Sequence, residues 1–170
     1  IEPYEKSLKR TISIRLYQDE VEELCRKSGK VGLSIGELFE NFVADLICGT
    51  HTNGSDERMY IEQWFDRCYF SIMPEETFLS YLLEMREIDS VLECWEILQE
   101  LKELEEPDCY DKEELEIQQN TLEDYFQEYR TYTRETTEDQ LEAAMEKVLE
   151  WNKEREYLLE GNVPDKSLGR

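Results

Sequence analysis

Residues whose side chains could carry out catalysis are few and scattered. The chain has a single histidine, His51, with no nucleophile motif or glycine-rich phosphate loop beside it. Its five cysteines are odd in number and never form a C-x-x-C pair, so the sequence predicts neither a disulfide framework nor a zinc site. We therefore expect no enzymatic activity, no bound metal and no other cofactor. The cysteines are expected to be small buried apolar residues.

Carboxylates, in contrast, are abundant. From Glu75 to Tyr129 there are nineteen Asp/Glu against three Lys/Arg, a net charge of −16 over 55 residues. The acidic cluster around Glu105 to Glu114 lacks the glycine and the spacing of a calcium-binding loop. Carboxylates held on rigid helices present negative charge much as a DNA backbone does, and they would attract the basic channel of a nucleic-acid-handling protein. The alternative is that the acidity serves solubility alone.

The predicted centre of this acidic surface lies close to one end of a predicted helix. That helix carries apolar residues from Ile88 to Leu101 at helical spacing, and Pro107 must terminate it. The residues that we expect to bind a basic partner are Glu100, Glu103, Glu105, Glu106 and Asp108.

Charge also divides the chain into two parts. Residues 1–50 carry seven Lys/Arg and nine Asp/Glu, a net charge of −2, whereas residues 51–170 carry twelve and thirty-three, a net charge of −21. Turn-forming residues concentrate from Gly49 to Asp56, which is typical of a linker. We predict a first domain over residues 1–50, a linker over 51–58, an acidic helical domain over 59–161 and a flexible tail over 162–170.

The first domain is predicted to contain one strand and two helices. Residues 11–16 alternate polar and apolar side chains and are rich in β-branched types, as in a half-buried strand. No second strand is evident, so pairing with the same segment of another copy would satisfy its backbone groups. A first helix is expected to end near Gly29 to Gly32. The second helix is predicted to begin at a capping box formed by Ser34 and Glu37 and to end at Gly49.

This order of elements, together with Lys9 to Leu16 and the turn Gly32-Leu33-Ser34, resembles the ribbon-helix-helix family of DNA-binding proteins. The resemblance implies a homodimer whose paired strands enter the major groove of double-stranded DNA. It also implies that Ile12, Ile14 and Leu16 face a shared core. The residues that it implies at the DNA are Thr11, Ser13 and Arg15 at the bases, Lys9 and Arg10 nearby, and Ser34 to Gly36 at a phosphate. The alternative is a ribbon that serves dimerisation alone.

The rest of the chain is predicted to be helical. Thr137 and Gln140 have the spacing of a capping box, and the helix after them has a natural stop at Gly161. We expect the last two helices to form an antiparallel hairpin. The predicted fold class is therefore mainly α, with an N-terminal ribbon-helix-helix dimer followed by an acidic all-helical domain that ends in a helical hairpin.

Three functions follow from these expectations. The chain could be an autoregulatory transcriptional repressor, an antitoxin, or an inhibitor of a nucleic-acid-guided nuclease of the Cas9 type. Its charge composition resembles that of acidic anti-CRISPR proteins of phages and mobile elements. Double-stranded DNA, a second copy of the chain and a basic nuclease are thus the expected partners. No run of about 18 apolar residues and no signal-peptide pattern is present, so we expect a cytoplasmic protein without a membrane partner.

Overall fold

The computed structural model describes residues 7–50, 54–133 and 138–161. These residues form the helices α1 (Gln18–Lys30), α2 (Ile35–Cys48), α3 (Ser55–Tyr69), α4 (Phe78–Glu84), α5 (Ile88–Glu103), α6 (Cys109–Tyr132) and α7 (Leu141–Glu160). They belong to two compact units, one of residues 12–74 and one of residues 1–11 with 75–170. We call these the α1–α3 unit and the α4–α7 unit. The predicted helical character is confirmed, and no helix within the described ranges has the length and apolarity needed to cross a bilayer.

The predicted ribbon-helix-helix fold is wrong, because no β-strand is formed within the described part of the chain. Residues 11–16 instead have no regular secondary structure. A strand exists only when a neighbouring strand accepts and donates its backbone hydrogen bonds, and residues 7–50, 54–133 and 138–161 supply no such neighbour. The apolar side chains of the alternating segment are not buried, since Ile12, Ile14 and Leu16 are 66%, 56% and 45% exposed.

The predicted ends of α2 are confirmed. Ser34 Oγ accepts a hydrogen bond from Glu37 N at 3.1 Å, and Glu37 Oε2 accepts one from Ser34 N at 2.8 Å, which completes the capping box. The hydrogen bonds from the backbone and side chain of Ser34 hold the pKa of the Glu37 carboxyl below its usual value. Gly49 ends the helix with φ 62°, a left-handed conformation that glycine adopts without a Cβ penalty.

Within the α1–α3 unit, α2 packs on α3 through one aromatic pair and one arginine. The rings of Phe42 and Trp64 stack with centroids 5.6 Å apart. The Arg58 guanidinium donates hydrogen bonds to the Asp45 and Leu46 carbonyls at 2.7 and 2.8 Å. These carbonyls lie in the last turn of α2, where the Arg58 guanidinium complements the helix dipole. The Asp45 carbonyl also accepts a hydrogen bond from Gly49 N at 2.8 Å.

The α1–α3 unit nevertheless has no buried apolar side chain among its described residues. Apolar residues of α2 that follow helical spacing, including Phe39, Val43 and Ile47, are exposed. Burial of apolar surface is the main favourable term in folding. This unit therefore gains little free energy from burial to offset the conformational entropy that the chain loses on folding.

The buried core lies in the α4–α7 unit, to which all four of its helices contribute. Its members are Phe78, Leu82, Ile88, Val91, Cys94, Leu98, Leu122, Phe126, Tyr129, Leu141, Ala144, Met145 and Val148. The Phe78 ring meets the Phe126 ring edge to face, with centroids 5.4 Å apart. This core makes the α4–α7 unit a rigid support for the charged residues on its surface.

The predicted hairpin of the last two helices is also wrong, because α6 pairs with α5 while α7 packs mainly on α4. Tyr125 Oη of α6 donates to Glu87 Oε2 at the start of α5, at 3.4 Å. Cys94 Sγ, further along α5, donates to the Gln118 carbonyl at 3.2 Å. Residue numbers therefore rise on one helix as they fall on the other, which makes the pair antiparallel. The short connection over residues 104–108 favours this neighbour over α7.

Candidate protein-binding groove

The surface of α5 carries a regular stripe of carboxylates. The core-facing residues of this helix are Ile88, Val91, Cys94 and Leu98. The carboxylates follow one another at intervals of four and three residues and are Asp89, Glu93, Glu96, Glu100 and Glu103. At about 100° per residue they occupy a sector roughly 80° wide on the side of the helix opposite the core. The stripe therefore faces solvent.

This stripe forms one wall of a groove between α5 and α7. The groove has a volume of about 560 Å³ and is open to solvent along its length. Its floor is formed by the half-buried Leu92, Trp95 and Leu149, which pack on the core beneath them. Asn152, Arg155 and Glu156 of α7 form the other wall. The groove thus combines an apolar floor with charged walls.

Negative charge dominates the lining. Among the described residues, its six carboxylates are the α5 stripe and Glu156, and they face a single guanidinium, that of Arg155. The formal charge of the lining is −5, the difference between these two counts. Carboxylates gathered along low-dielectric protein walls concentrate their field in the groove, so a cationic ligand is attracted and a nucleic acid is repelled.

Arg155 joins the two walls near the first turn of α5. Its Nη2 donates hydrogen bonds to Asp89 Oδ1 at 3.1 Å and to Asn152 Oδ1 at 2.8 Å. The guanidinium carbon lies 4.6 Å from the centroid of the Trp151 ring, in a cation–π contact. Nη2 makes both hydrogen bonds, and the one to Asp89 links α7 to α5. The buried Nε of Arg155 has no hydrogen-bond partner among the described residues.

The predicted partner-binding residues divide into three groups. Glu100 and Glu103 line the groove. Glu105 and Glu106 are exposed in the turn after α5. Asp108 is the N-cap of α6, where its Oδ1 accepts hydrogen bonds from Tyr110 N and Asp111 N at 2.8 and 2.9 Å. Its carboxylate therefore caps the start of α6.

Sequence reasoning missed the other half of the groove. Asp89, Glu93 and Glu96 extend the stripe toward the start of α5, and Glu156 faces it from α7. The regular spacing of the three α5 residues was a detectable signal, because side chains three and four positions apart share a helix face. The neighbouring position of α7 was not detectable, since no local pattern specifies which helices pack together.

Three of the predicted DNA-binding residues belong to the α4–α7 unit. Lys9, Arg10 and Thr11 are exposed in its N-terminal extended segment. Arg10 Nη1 donates a hydrogen bond to the Leu159 carbonyl at 2.8 Å, near the end of α7. This arginine is thus bound to a helix C-terminus, a position that cations favour.

The other four predicted DNA-binding residues belong to the α1–α3 unit. Ser13 and Arg15 are exposed in the segment before α1, whereas Ser34 and Gly36 lie at the start of α2. A Cβ on Gly36 would meet only the Ser34 hydroxyl, at 3.9 Å, so backbone access there is open. The Glu37 carboxylate accepts from Ser34 N at this helix end, and its negative charge opposes a phosphate at the same position.

The residues considered for metal binding form no metal site within the described ranges. No group of three or more His, Cys, Asp or Glu side chains there is arranged to hold a metal ion. His51 lies outside the described residues. The expectation of buried cysteines is right for Cys94, where burial raises the thiol pKa, and wrong for the other four, which are exposed.

Glu138 is a buried acidic residue that the sequence did not single out. Its Oε1 accepts a hydrogen bond from Phe78 N at 2.6 Å and so satisfies a backbone donor in the first turn of α4. Its Oε2 lies 3.7 Å from Lys147 Nζ. Tyr129 Oη is 3.4 Å from Oε1 and donates to the Glu76 carbonyl at 2.9 Å. Burial, with the negative charge of Glu138, raises the pKa of Tyr129 to about 12.

Neither a protein-family model, a curated protein sequence nor a solved structure matches this chain.

Proposed function

We propose that the α4–α7 unit binds a basic nucleic-acid-handling protein in competition with that protein's nucleic acid, and that a Cas9-type nuclease is the partner to test first. The observation that carries the proposal is the stripe from Asp89 to Glu103 on a helix anchored in the core. Its five carboxylates extend over about 21 Å at 1.5 Å per residue, or one charge per roughly 5 Å. A DNA strand carries one charge per about 3.4 Å, so the stripe is a sparser but rigid analogue.

Charge on this scale has an energetic cost that a cationic partner would offset. By sequence, residues 75–170 carry twenty-nine Asp/Glu and ten Lys/Arg, a net charge of −19, whereas residues 12–74 carry eleven and six, a net charge of −5. Like charges on one helix face repel one another and destabilise the folded state. A cationic partner surface would remove that repulsion, which supports binding rather than solubility as the role of the acidity.

The test is inhibition of target-DNA cleavage by a Cas9-type nuclease loaded with its guide RNA. We expect the full-length protein to inhibit at low ionic strength, and we expect cleavage to recover as salt screens the charges. Replacing Glu93, Glu96, Glu100 and Glu103 together with lysine should abolish inhibition. The matched control reverses four exposed carboxylates of α6, Glu113, Glu116, Asp124 and Glu128, and should retain most of it. Absence of inhibition by the unaltered protein at low salt would overturn the proposal for this partner class.

A second candidate function is contact with double-stranded DNA, as in an autoregulatory repressor or the DNA-binding half of an antitoxin. The supporting observation is that Ser13 and Arg15 are exposed, and the Arg15 side chain has no hydrogen bond or ion pair within the described ranges. Arginine recognises guanine through two hydrogen bonds, which gives it a defined role at a base edge. The lower negative charge of the α1–α3 unit also makes it the half of the chain that DNA repels less.

A second copy of the chain is the proposed partner of the α1–α3 unit. This unit lacks a buried apolar core among its described residues, and the apolar side chains of α2 are exposed. A partner needed for folding must be present whenever the chain is made, and another copy meets that condition. Two α2 helices could bury their apolar faces against each other, as in other symmetric dimers.

A further inference from the structure

We infer that the groove between α5 and α7 binds an amphipathic α-helix of the partner protein, with apolar residues on the groove floor and Lys/Arg residues along the α5 wall. This inference rests on the proposed function and specifies which kind of partner element occupies the site. The apolar floor and the carboxylate wall lie side by side along the same groove. A ligand that matches both must therefore present apolar and cationic side chains on adjacent faces.

The apolar floor of the groove favours a ligand that carries apolar side chains as well as positive charge. Leu92, Trp95 and Leu149 are half-buried and rest on the core, so their positions are fixed before any ligand arrives. Covering these side chains removes apolar surface from water and adds to the attraction between charges. A polycation without apolar residues would leave the floor uncovered, and a nucleic acid would be repelled by the wall.

The spacing of the carboxylates along the α5 wall favours a helical ligand over an extended peptide. The α5 carboxylates recur every 3.5 residues on average, or about 5.3 Å along the helix axis. Cations placed every three or four residues on a helix alongside α5 recur at the same distance and stay in register. Same-face residues of an extended peptide recur every 6.6 Å or so, and the mismatch grows to roughly one full position over the length of α5.

The occupant must come from another protein. None of the helices α1 to α7 carries a net positive charge, so a second copy offers no described helix complementary to the wall. Proteins often bind one another by placing the apolar face of an amphipathic helix in a groove, and charges beside that face set the orientation of the helix. The partner therefore belongs to the proteins that expose a basic amphipathic helix, as nucleic-acid-binding proteins do.

The experiment is a fluorescence-anisotropy titration of the full-length protein into a labelled helical peptide of about 16 residues, the length that covers α5. The peptide carries a leucine stripe flanked by Lys and Arg every three or four residues. A second peptide has the same composition in scrambled order, without the stripe. The groove variant is Glu93→Gln with Glu96→Gln and Glu100→Gln, which removes charge and keeps shape. The matched control, Glu113→Gln with Glu116→Gln and Asp124→Asn, removes the same charge from α6.

We expect the unaltered protein and the α6 control to bind the patterned peptide alike, and the groove variant to bind it about tenfold more weakly or worse. The scrambled peptide should bind the unaltered protein about tenfold more weakly as well, because it cannot cover the floor. Equal binding of the two peptides, or equal losses in the groove variant and the α6 control, would overturn the inference in favour of diffuse attraction. The nuclease assay separates the two proposals. Inhibition that survives in the groove variant but is lost when Glu93, Glu96, Glu100 and Glu103 are replaced with lysine leaves the proposed function standing without a helix in this groove. Patterned-peptide binding without inhibition leaves the site standing without that function.

Discussion

The guanidinium of Arg155 on α7 donates a hydrogen bond to the carboxylate of Asp89 on α5 at 3.1 Å, and it is the one cation that the described residues place in a groove lining with six carboxylates. Contacts with Asn152 and the Trp151 ring hold the Arg155 guanidinium in the α7 wall of the groove. Arg155 therefore has two opposing effects. It links α7 to α5, which stabilises the fold, and it reduces the net negative charge of the groove that would attract a cationic ligand.

Arg155→Gln is expected to strengthen binding of the patterned cationic peptide while destabilising the fold slightly. The lining charge would change from −5 to −6, because one cation is lost. The Asp89 side chain is largely exposed, so the ion pair contributes only about 0 to 1 kcal/mol, and the cation–π contact adds roughly 0.5 to 1 kcal/mol. Peptide titration and thermal unfolding measure the two effects. Lys112→Gln on α6 is the control, and an equal gain there would assign the effect to net charge.

Glu138→Ala is expected to destabilise the α4–α7 unit by roughly 1 to 3 kcal/mol, because Phe78 N would lose its buried acceptor. Glu138→Gln keeps a carbonyl oxygen at this position and should cost less. Asp139→Ala serves as the control. Its carboxylate is 80% exposed and lies 3.9 Å from Arg130 Nη2, so its loss should change stability by at most about 1 kcal/mol. Urea unfolding followed by circular dichroism ranks the three variants, and equal midpoints for Glu138→Ala and Asp139→Ala would contradict the assigned role.

The raised pKa of Tyr129 leads us to expect that the protein loses stability at alkaline pH. Its pKa is raised by burial and by Glu138 from an ordinary value of 10.0 to about 12 in the folded state. Below pH 10 the phenol is protonated in both the folded and the unfolded state, so the raised pKa has no effect on the free energy of unfolding there. Between about pH 10 and 12 the unfolded chain releases the proton first, and the free energy of unfolding should fall by about 1.4 kcal/mol per pH unit. Tyr129→Phe should flatten this fall relative to the exposed control Tyr110→Phe in unfolding measurements across that range.

The features that the sequence predicted well are those encoded by neighbouring residues. The capping box of α2 depends on Ser34 and Glu37, three positions apart, and the end of the helix depends on the left-handed conformation of Gly49. The position of Glu100 and Glu103 at the end of a helix also follows from local spacing. Such signals need no knowledge of the tertiary structure.

The features that it predicted poorly depend on distant residues. The alternation over residues 11–16 is a real property of the sequence, but a strand also requires a neighbour to bond with. The pairing of α5 with α6, and the approach of α7 that completes the groove, are set by which apolar faces fit together. The capping of Phe78 by Glu138 joins residues 60 positions apart, and no local pattern encodes such a contact.

Arg15→Ala tests contact with double-stranded DNA. If Arg15 binds a guanine edge, its removal should cost roughly 1 to 3 kcal/mol of discrimination at one base pair. Binding should also weaken as salt is added, with a shallow slope, because only a few local cations contact phosphates. A mobility-shift titration at low salt against random and selected duplexes measures both effects. Lys30→Ala, at the end of α1, removes the same charge elsewhere in the unit, and an unchanged titration for Arg15→Ala would exclude a role for Arg15 in DNA binding.

Val43→Asp tests whether a second copy covers α2. Val43 is 58% exposed in the single chain, so the change should cost an isolated protomer little. In a dimer that buries the apolar face of α2, the same carboxylate would lose its hydration without gaining a partner, at a cost of several kcal/mol by rough estimate. We therefore expect the unaltered protein to be a dimer by light scattering and Val43→Asp to be a monomer whose α4–α7 unit remains folded. Asn41→Asp places the same charge on an exposed polar position of α2 and should remain dimeric. A folded monomer for the unaltered protein at every concentration would show that the α1–α3 unit does not depend on a second copy, and equal dissociation of both variants would point to charge rather than to the buried face.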